Sequence, residues 1–215
     1  MITTNTFVEI DIPEARDLAD MTGIALDFKK TKRFATELKE ILGKTFSGEI
    51  YAENQYCHNL VEPMTIAILV CYSRPFTTGV RCKLKENDFM EMLSPEQKTA
   101  HRNFRLWRDK HIAHSVNIFE DNQPVARYVV ERFDDEGFCS VECNSSQIIG
   151  MSMYDVEMVI ELTTHFIEEL ESRLKREKQK VLTAVRALPR QQVLGMRKSP
   201  HNAKIEDVSK TRKWK

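Results

Sequence analysis

Apolar residues recur at helical spacing over long stretches, and this limits most strongly what the chain can fold into. Leu18, Met21, Ala25, Phe28, Ala35, Leu38 and Leu42 keep close to a 3.6-residue period, with Lys29, Lys30, Lys32, Lys39 and Glu40 on the other faces. This spacing predicts a first helix over about 12–43. Asp11 is its cap, Pro13 lies in its first turn, Glu14 stands three residues after the cap, and Gly43 is its stop. A second helix follows over about 54–72. Its half from Met64 to Tyr72 is apolar all round and so predicted to be central and buried, and Pro75 ends it by disfavouring helix at Arg74.

Ser94-Pro95-Glu96-Gln97 is a strong helix start, with a cap, a proline at the first position and Gln three residues after the cap. The third helix runs to about His114. Ala100, Phe104, Trp107, His111 and His114 step by 4, 3, 4 and 3 along it and share one stripe. Ser152, with Asp155 three residues on, caps a fourth helix that reaches about Arg186, its last turns charged and protruding. Between the third and fourth helices the pattern changes. Val116, Ile118, Val125, Tyr128, Val129, Val130, Phe138 and Val141 are β-formers, broken by turn clusters at 120–124 and 134–137. They predict a hairpin or meander of two or three strands. Residues 80–93 are ambiguous, nothing after Pro189 is periodic, and no internal repeat is visible.

Only seven Gly and seven Pro in 215 residues argue against an all-β sandwich, and 41% apolar content argues against a disordered chain. The fold class expected is therefore mainly α: an antiparallel four-helix bundle with a small β-hairpin insertion before the last helix. One domain spans 1–186, with the insertion at about 115–150. A basic, flexible tail follows over 187–215.

No apolar run approaches the roughly 18 residues that span a bilayer, and the N-terminal stretch is acidic and mixed, unlike a signal or transit peptide. A cytoplasmic protein without membrane contact is expected. Cysteines 57, 71, 82, 139 and 143 are odd in number, so reduced thiols are the default. Cys139 and Cys143 form a C-x3-C pair with no second pair to complete a zinc site; on a strand they share a face and read as small core residues. No metal and no cofactor is implied. The formal net charge of zero hides an asymmetry: residues 186–215 carry nine Lys/Arg against Glu206 and Asp207, leaving 23 basic and 30 acidic residues in the first 185. A basic tail on an acidic body fits a polyanion partner, or a solvated tail.

Chemistry concentrates in Phe104-Arg-Leu-Trp-Arg-Asp-Lys-His-Ile-Ala-His114, which holds Arg105, Arg108, Lys110, His111 and His114. Histidine gives and takes protons near neutral pH, and arginine matches a phosphate in bidentate geometry. One of each suffices for metal-free RNA cleavage: the His removes the proton of a ribose 2′-hydroxyl, and the Arg stabilises charge on the phosphorus oxygens. Arg105, Lys110 and Arg74 are candidate RNA contacts. His111 and His114 at i, i+3 suit a metal, but no carboxylate or Cys completes a set, and H-E-x-x-H, G-x-S-x-G, phosphate-loop and dinucleotide motifs are absent. The same His pair fits a packed core or an interface, and basic residues at a helix end also complement its dipole. Trp107 reads as core or interface, Tyr72 as core, and His58, His101 and His165 as structural or exposed. On a straight helix Arg108 and His114 point about 120° apart with roughly 9 Å of rise between them. Either the helix loosens before His114, or a second copy supplies the partner.

Arg108-Asp-Lys-His-Ile-Ala-His114 resembles the R-x(4–6)-H motif of HEPN domains, with a spacer of five and a polar residue after the Arg. The string is especially similar to prokaryotic HEPN-like proteins of the abortive-infection type, and Tyr72-Ser-Arg-Pro-Phe76 is more weakly similar to them. The resemblance covers about 12–185. It implies a four-helix core that forms a homodimer with two motifs facing each other, and metal-independent endoribonuclease activity in active members. It further implies that Arg108 stabilises the phosphate, His114 is the general acid or base, Asp109 orients either, and His111 assists or lines the interface. RNA, a second copy and an antitoxin protein are the implied partners, with toxin–antitoxin or phage defence as the setting. The family also has inactive, nucleotide-binding and scaffolding members, so a non-catalytic nucleic-acid, nucleotide or protein-binding module is the alternative.

Overall fold

A computed structural model describes residues 7–46, 54–77, 84–85, 87–112, 122–128, 138–145, 150–196 and 198–199. The protein is mainly helical. Its elements are β1 (Phe7–Val8), α1 (Pro13–Phe46), α2 (Asn54–Ser73) with a 3-10 turn at Arg74–Phe76, α3 (Asn87–Met90), α4 (Pro95–Trp107) with a π turn at Arg108–Ile112, β2 (Asn122–Tyr128), β3 (Phe138–Ser145), α5 (Met153–Ala187), α6 (Arg190–Leu194) and β4 (Lys198–Ser199).

Both serine-led starts form reciprocal caps. The Gln97 amide donates to Ser94 Oγ at 3.1 Å, and the Ser94 amide donates to Gln97 Oε1 at 3.1 Å. At α5 the Asp155 amide donates to Ser152 Oγ at 3.2 Å, while Asp155 Oδ2 accepts from the Ser152 amide at 3.0 Å. Each pair satisfies donors that a helix start otherwise leaves open. Gly43 does not stop α1, which runs on to Phe46. A lone glycine weakens a helix by about 1 kcal/mol, less than packing supplies.

α1 and α5 lie side by side and antiparallel. Lys29 pairs with Glu171 and Lys39 with Glu157, both at 2.8 Å, so residue numbers rise on one helix as they fall on the other. Extended along the pair, this register sets the start of α1 beside the end of α5, where Ala15 and Val181 are both buried. The last turns of α5 therefore pack on α1 and do not protrude as the charge pattern predicted.

α2 covers the second half of α1, and the main core fills between these helices and α4. Phe166 of α5 is its centre. Its ring lies 5.1 Å from Phe28, 5.5 Å from Phe89, 5.8 Å from Phe76 and 6.3 Å from Tyr72, centroid to centroid. Ile68, Leu69 and Tyr72 of α2 are buried as expected, but Ile66 is 39% exposed. One face of this apolar helix stays open to solvent. Phe89, in the segment left ambiguous by sequence, enters the core from α3.

The insertion contains one antiparallel hairpin among the described residues, Asn122 facing Ser145 and Ala126 facing Val141, with an irregularity at Arg127/Tyr128. Val116 and Ile118 lie outside the described residues. Val141 and Cys143 are exposed, so Cys143 is not a core residue; the Cys139 side chain is not described. Among the described residues the hairpin strands pair only with each other. Gly150 returns the chain to the core, where any Cβ would run into the Val61 side chain, and the Met151 amide donates to Thr65 Oγ1 at 3.0 Å. Beyond Pro189, where no period was visible, a short α6 forms and β4 pairs antiparallel with β1. Among the described residues no helix is long and apolar enough to cross a membrane.

Phe166→Ala removes the ring on which α1, α2, α3 and α4 meet. It is expected to cost about 3–5 kcal/mol in denaturant unfolding; a loss below about 1 kcal/mol would show that this ring is not central.

Candidate functional site

Helix α4 changes pitch at the motif. Its first thirteen residues are α-helical and bury Ala100, His101 and Phe104. At Arg108 the hydrogen bonding widens to a π turn that holds Arg108, Asp109, Lys110, His111 and Ile112. Such turns span five residues in place of four and gather at functional positions. The helix thus loosens at the arginine itself, one of the two routes the sequence geometry left open. Trp107, half-buried against the core just before the turn, has its indole N–H buried without an acceptor among the described residues, at a cost that a fully regular packing would avoid.

Within the turn, Arg108 Nη1 donates to Asp109 Oδ1 at 2.8 Å, with the two side chains 33% and 46% exposed. A pair this open stabilises little. It does hold the guanidinium by one edge and leaves further N–H donors for an anion. Lys110 is exposed beside them. The His111 side chain and all of His114 lie outside the described residues, so the Arg–His separation is not among the observed distances.

Two further arginines stand near the end of α2, Arg74 on the turn that follows it and Arg105 on α4. Arg74, in the 3-10 turn and 55% exposed, reaches Asp27 of α1 at 3.7 Å. Asp27 is buried, in a position the apolar stripe of α1 would otherwise fill. Arg105 is half-buried, its guanidinium 5.7 Å from the centre of the Phe76 ring, two residues after Arg74. Thus each of the three arginines has a fixed support: a carboxylate in the core, an aromatic face, or a neighbouring aspartate. The Cys71 thiol on the same stretch is pushed up by burial, partly offset by Arg74, so it is protonated at neutral pH.

The structure reveals a pair that sequence reasoning missed. The Tyr72 hydroxyl and His101 Nδ1 are 2.8 Å apart inside the core, ringed by Phe76, Phe104 and Phe166. Burial, helped by the Arg102 charge, pushes the His101 pKa down to about 4, and burial holds the Tyr72 phenol well above its ordinary value. His101 is neutral and has its Nε2 buried without a partner among the described residues. It is a packing residue that cannot exchange protons with solvent near neutral pH. The clue in the sequence was its distance from Ala100 and Phe104: one residue and three, so within the buried face of α4. His165, by contrast, is exposed.

A groove of about 380 Å³ lies between α4 and the start of α5, lined by Thr99, Ala100, Asn103, Phe104 and Tyr154. The Tyr154 hydroxyl donates to Glu96 Oε1 at 2.6 Å, both at its wall. Among the described residues no group of three His, Cys, Asp or Glu is placed to hold a metal ion. Against known proteins, no family model matches the chain, and neither a curated protein nor a solved structure matches it.

The buried histidine makes stability depend on pH. Its folded pKa is depressed, so the unfolded chain binds more protons between about 4 and 6.5, and stability falls as pH falls through that window. Relative to His101→Gln, which does not titrate, the wild type is expected to lose roughly 3 kcal/mol between pH 6.5 and 4. Parallel pH profiles for the two proteins in urea unfolding would remove His101 from the account.

Proposed function

We propose that this protein is a cytoplasmic, metal-independent endoribonuclease of HEPN type, acting as a toxin or antiphage effector, with α1, α2, α4 and α5 as the four-helix core. The observation that carries the reading is Arg108, held by Asp109 at 2.8 Å and still one-third exposed, at the point where α4 opens into a π turn. In this reading His114 takes the proton of the ribose 2′-hydroxyl as that oxygen attacks phosphorus. Arg108 stabilises the charge on the phosphorus oxygens, and a protonated histidine of the site returns a proton to the leaving 5′-oxygen. The products are a 2′,3′-cyclic phosphate and a 5′-hydroxyl. His111 assists or lines the seam, and Lys110, Arg105 and Arg74 contact the backbone of the RNA.

A second copy of the chain belongs to this proposal. In this reading the histidine that faces Arg108 comes from the other subunit. Leu106, 56% exposed and two residues before Arg108, supports this seat beside the motif. Among the described residues this apolar side chain stays more than half exposed. The acidic surplus of the first 185 residues favours the second reading, a non-catalytic HEPN-like module that binds a nucleic acid, a nucleotide or an antitoxin protein.

In excess EDTA, purified wild type is expected to cleave single-stranded RNA to cyclic-phosphate ends, while Arg108→Ala and His114→Ala lose at least about 100-fold in rate. Equal cleavage by all three would place the chemistry elsewhere, and no cleavage by wild type on several RNA classes would move the reading to the binding module. Leu106→Glu is expected to give a monomer by light scattering and to lose cleavage together with the dimer. A Leu106→Glu protein of unchanged mass would put the seam on another face.

A further inference from the structure

The outer face of α2 is apolar, whereas the outer faces of the two long helices are charged. Between Leu60 and Ser73 the only charged residue is Glu62. Pro63, Ile66, Ala67 and Val70 fall within about 100° of one another around the helix axis, on the side opposite the buried Tyr72. Pro63 and Ile66 are exposed, and Ala67 and Val70 partly so. By contrast, α1 exposes Lys30, Arg33 and Glu37, and α5 exposes Glu161, His165 and Glu168. The core does not need this stripe, since Ile68, Leu69 and Tyr72 fill it from the other side of α2. A contiguous apolar face left in solvent marks a contact surface.

Polar groups at the two ends of the stripe select what covers it. At one end Glu62 is exposed and has no ion pair among the described residues. Next to it, Pro63 has no N–H to give the Asn59 carbonyl, so acceptors gather at this end. At the other end Arg74 is 55% exposed. Its guanidinium has several N–H donors, enough to keep Asp27 and take a second carboxylate. Acid and arginine lie roughly 18 Å apart along α2, and Ile68 is midway between them. Turned end for end, the stripe therefore matches itself. Two α2 helices packed antiparallel about a two-fold axis at Ile68 set each Glu62 level with Arg74 of the second copy, and each Ile66 level with Val70. An interface between identical chains requires this self-matching; an unrelated partner does not. The same axis suits Arg108. α4 meets the end of α2 where His101 and Phe104 touch Tyr72, and the π turn that follows still packs on α2. The turn thus lies back along α2, about one to two turns before Tyr72 and near the level of Ile68. The two-fold carries both π turns to the same side of the seam.

We propose that Pro63, Ile66, Ala67 and Val70, between Glu62 and Arg74, form the seam on which a second copy of this chain docks, α2 against α2 and antiparallel. This deepens the ribonuclease reading and rests on it for what the pairing serves, a site shared by two Arg108 turns. A stable seam buries about 800 Å² on each partner, more than Leu106 supplies by itself, and the face of α2 adds to it.

The test is the mass of the full chain by light scattering across a dilution series. Wild type is expected at twice the chain mass of 25.1 kDa. Ile66→Glu/Val70→Glu places charge on the outer face, leaves the core side of α2 intact, and is expected to be monomeric with an unchanged far-UV spectrum. The register is tested by charge. Glu62→Lys and Arg74→Glu each set like charges level across the seam, and each is expected to weaken the dimer about tenfold. Mixing these two proteins is expected to restore wild-type affinity, because every facing pair in the mixed dimer is then of opposite sign. A monomeric wild type, an Ile66→Glu/Val70→Glu protein that stays dimeric, or a mixture no tighter than either protein by itself would each overturn the seam. The EDTA cleavage assay separates this proposal from the nuclease reading. A monomeric Ile66→Glu/Val70→Glu protein, with no cleavage by dimeric wild type, keeps the seam and removes the nuclease. Cleavage that depends on Arg108, with Ile66→Glu/Val70→Glu still dimeric, does the reverse.

Discussion

Antiparallel packing of α1 against α5 is the contact on which the remaining structure depends. These are the two longest helices, and they meet over nearly their whole length. The pair sets the groove into which α2 and α4 pack, and Phe166 lies at the point where all of them converge. Burying large aromatic rings edge-on supplies both transfer energy and a preferred geometry. That geometry fixes Tyr72 and His101 relative to each other, and through them the end of α2 and the middle of α4. The arginines stand on those same stretches.

The division between a rigid interior and a strained rim follows. Toward its start α4 is regular, capped by Ser94 and buried on one face. At its end, where the core no longer holds both sides, the backbone widens into a π turn and Trp107 buries an N–H with no acceptor among the described residues. Irregular backbone of this kind survives only where surrounding packing over-determines it. Here Trp107 packs against the core just before the turn and Ile112 at its end, with Lys110 exposed between them. Arg74 shows the same economy of support, since a buried carboxylate tethers a guanidinium that remains more than half exposed.

Electrostatics adds a second axis to the molecule. Glu157 and Glu171 of α5 serve the fold by meeting lysines of α1, whereas Lys175, Lys178 and Arg186 further along are exposed with no ion pair among the described residues. A net charge of zero conceals this separation. Counting from Arg186 placed the basic tract in the tail. On the surface it begins some three turns earlier, at Lys175, because burial takes Glu177 off the outer face.

Much of the helical frame was legible in the sequence, because helical periodicity and serine caps are local. Ser94 with Gln97 and Ser152 with Asp155 marked both starts to within a residue. The arginine-bearing stretch was legible too, from residue type alone. Where local rules met long-range packing, they failed in identifiable ways. Gly43 reads as a stop, but packing carries α1 past it. Cys143 reads as core, but it is exposed on the hairpin. His101 reads as structural or exposed and Asp27 gives no signal; Arg74 and Tyr72, approaching from another helix, give each of them a partner where it is buried. The sequence by itself determined which segments are helical and which stretch gathers the arginines, since both depend on neighbours within a turn or two. Tertiary structure alone decided which of those residues are neutral, tethered or exposed, because burial and charge pairing are set by groups distant along the chain.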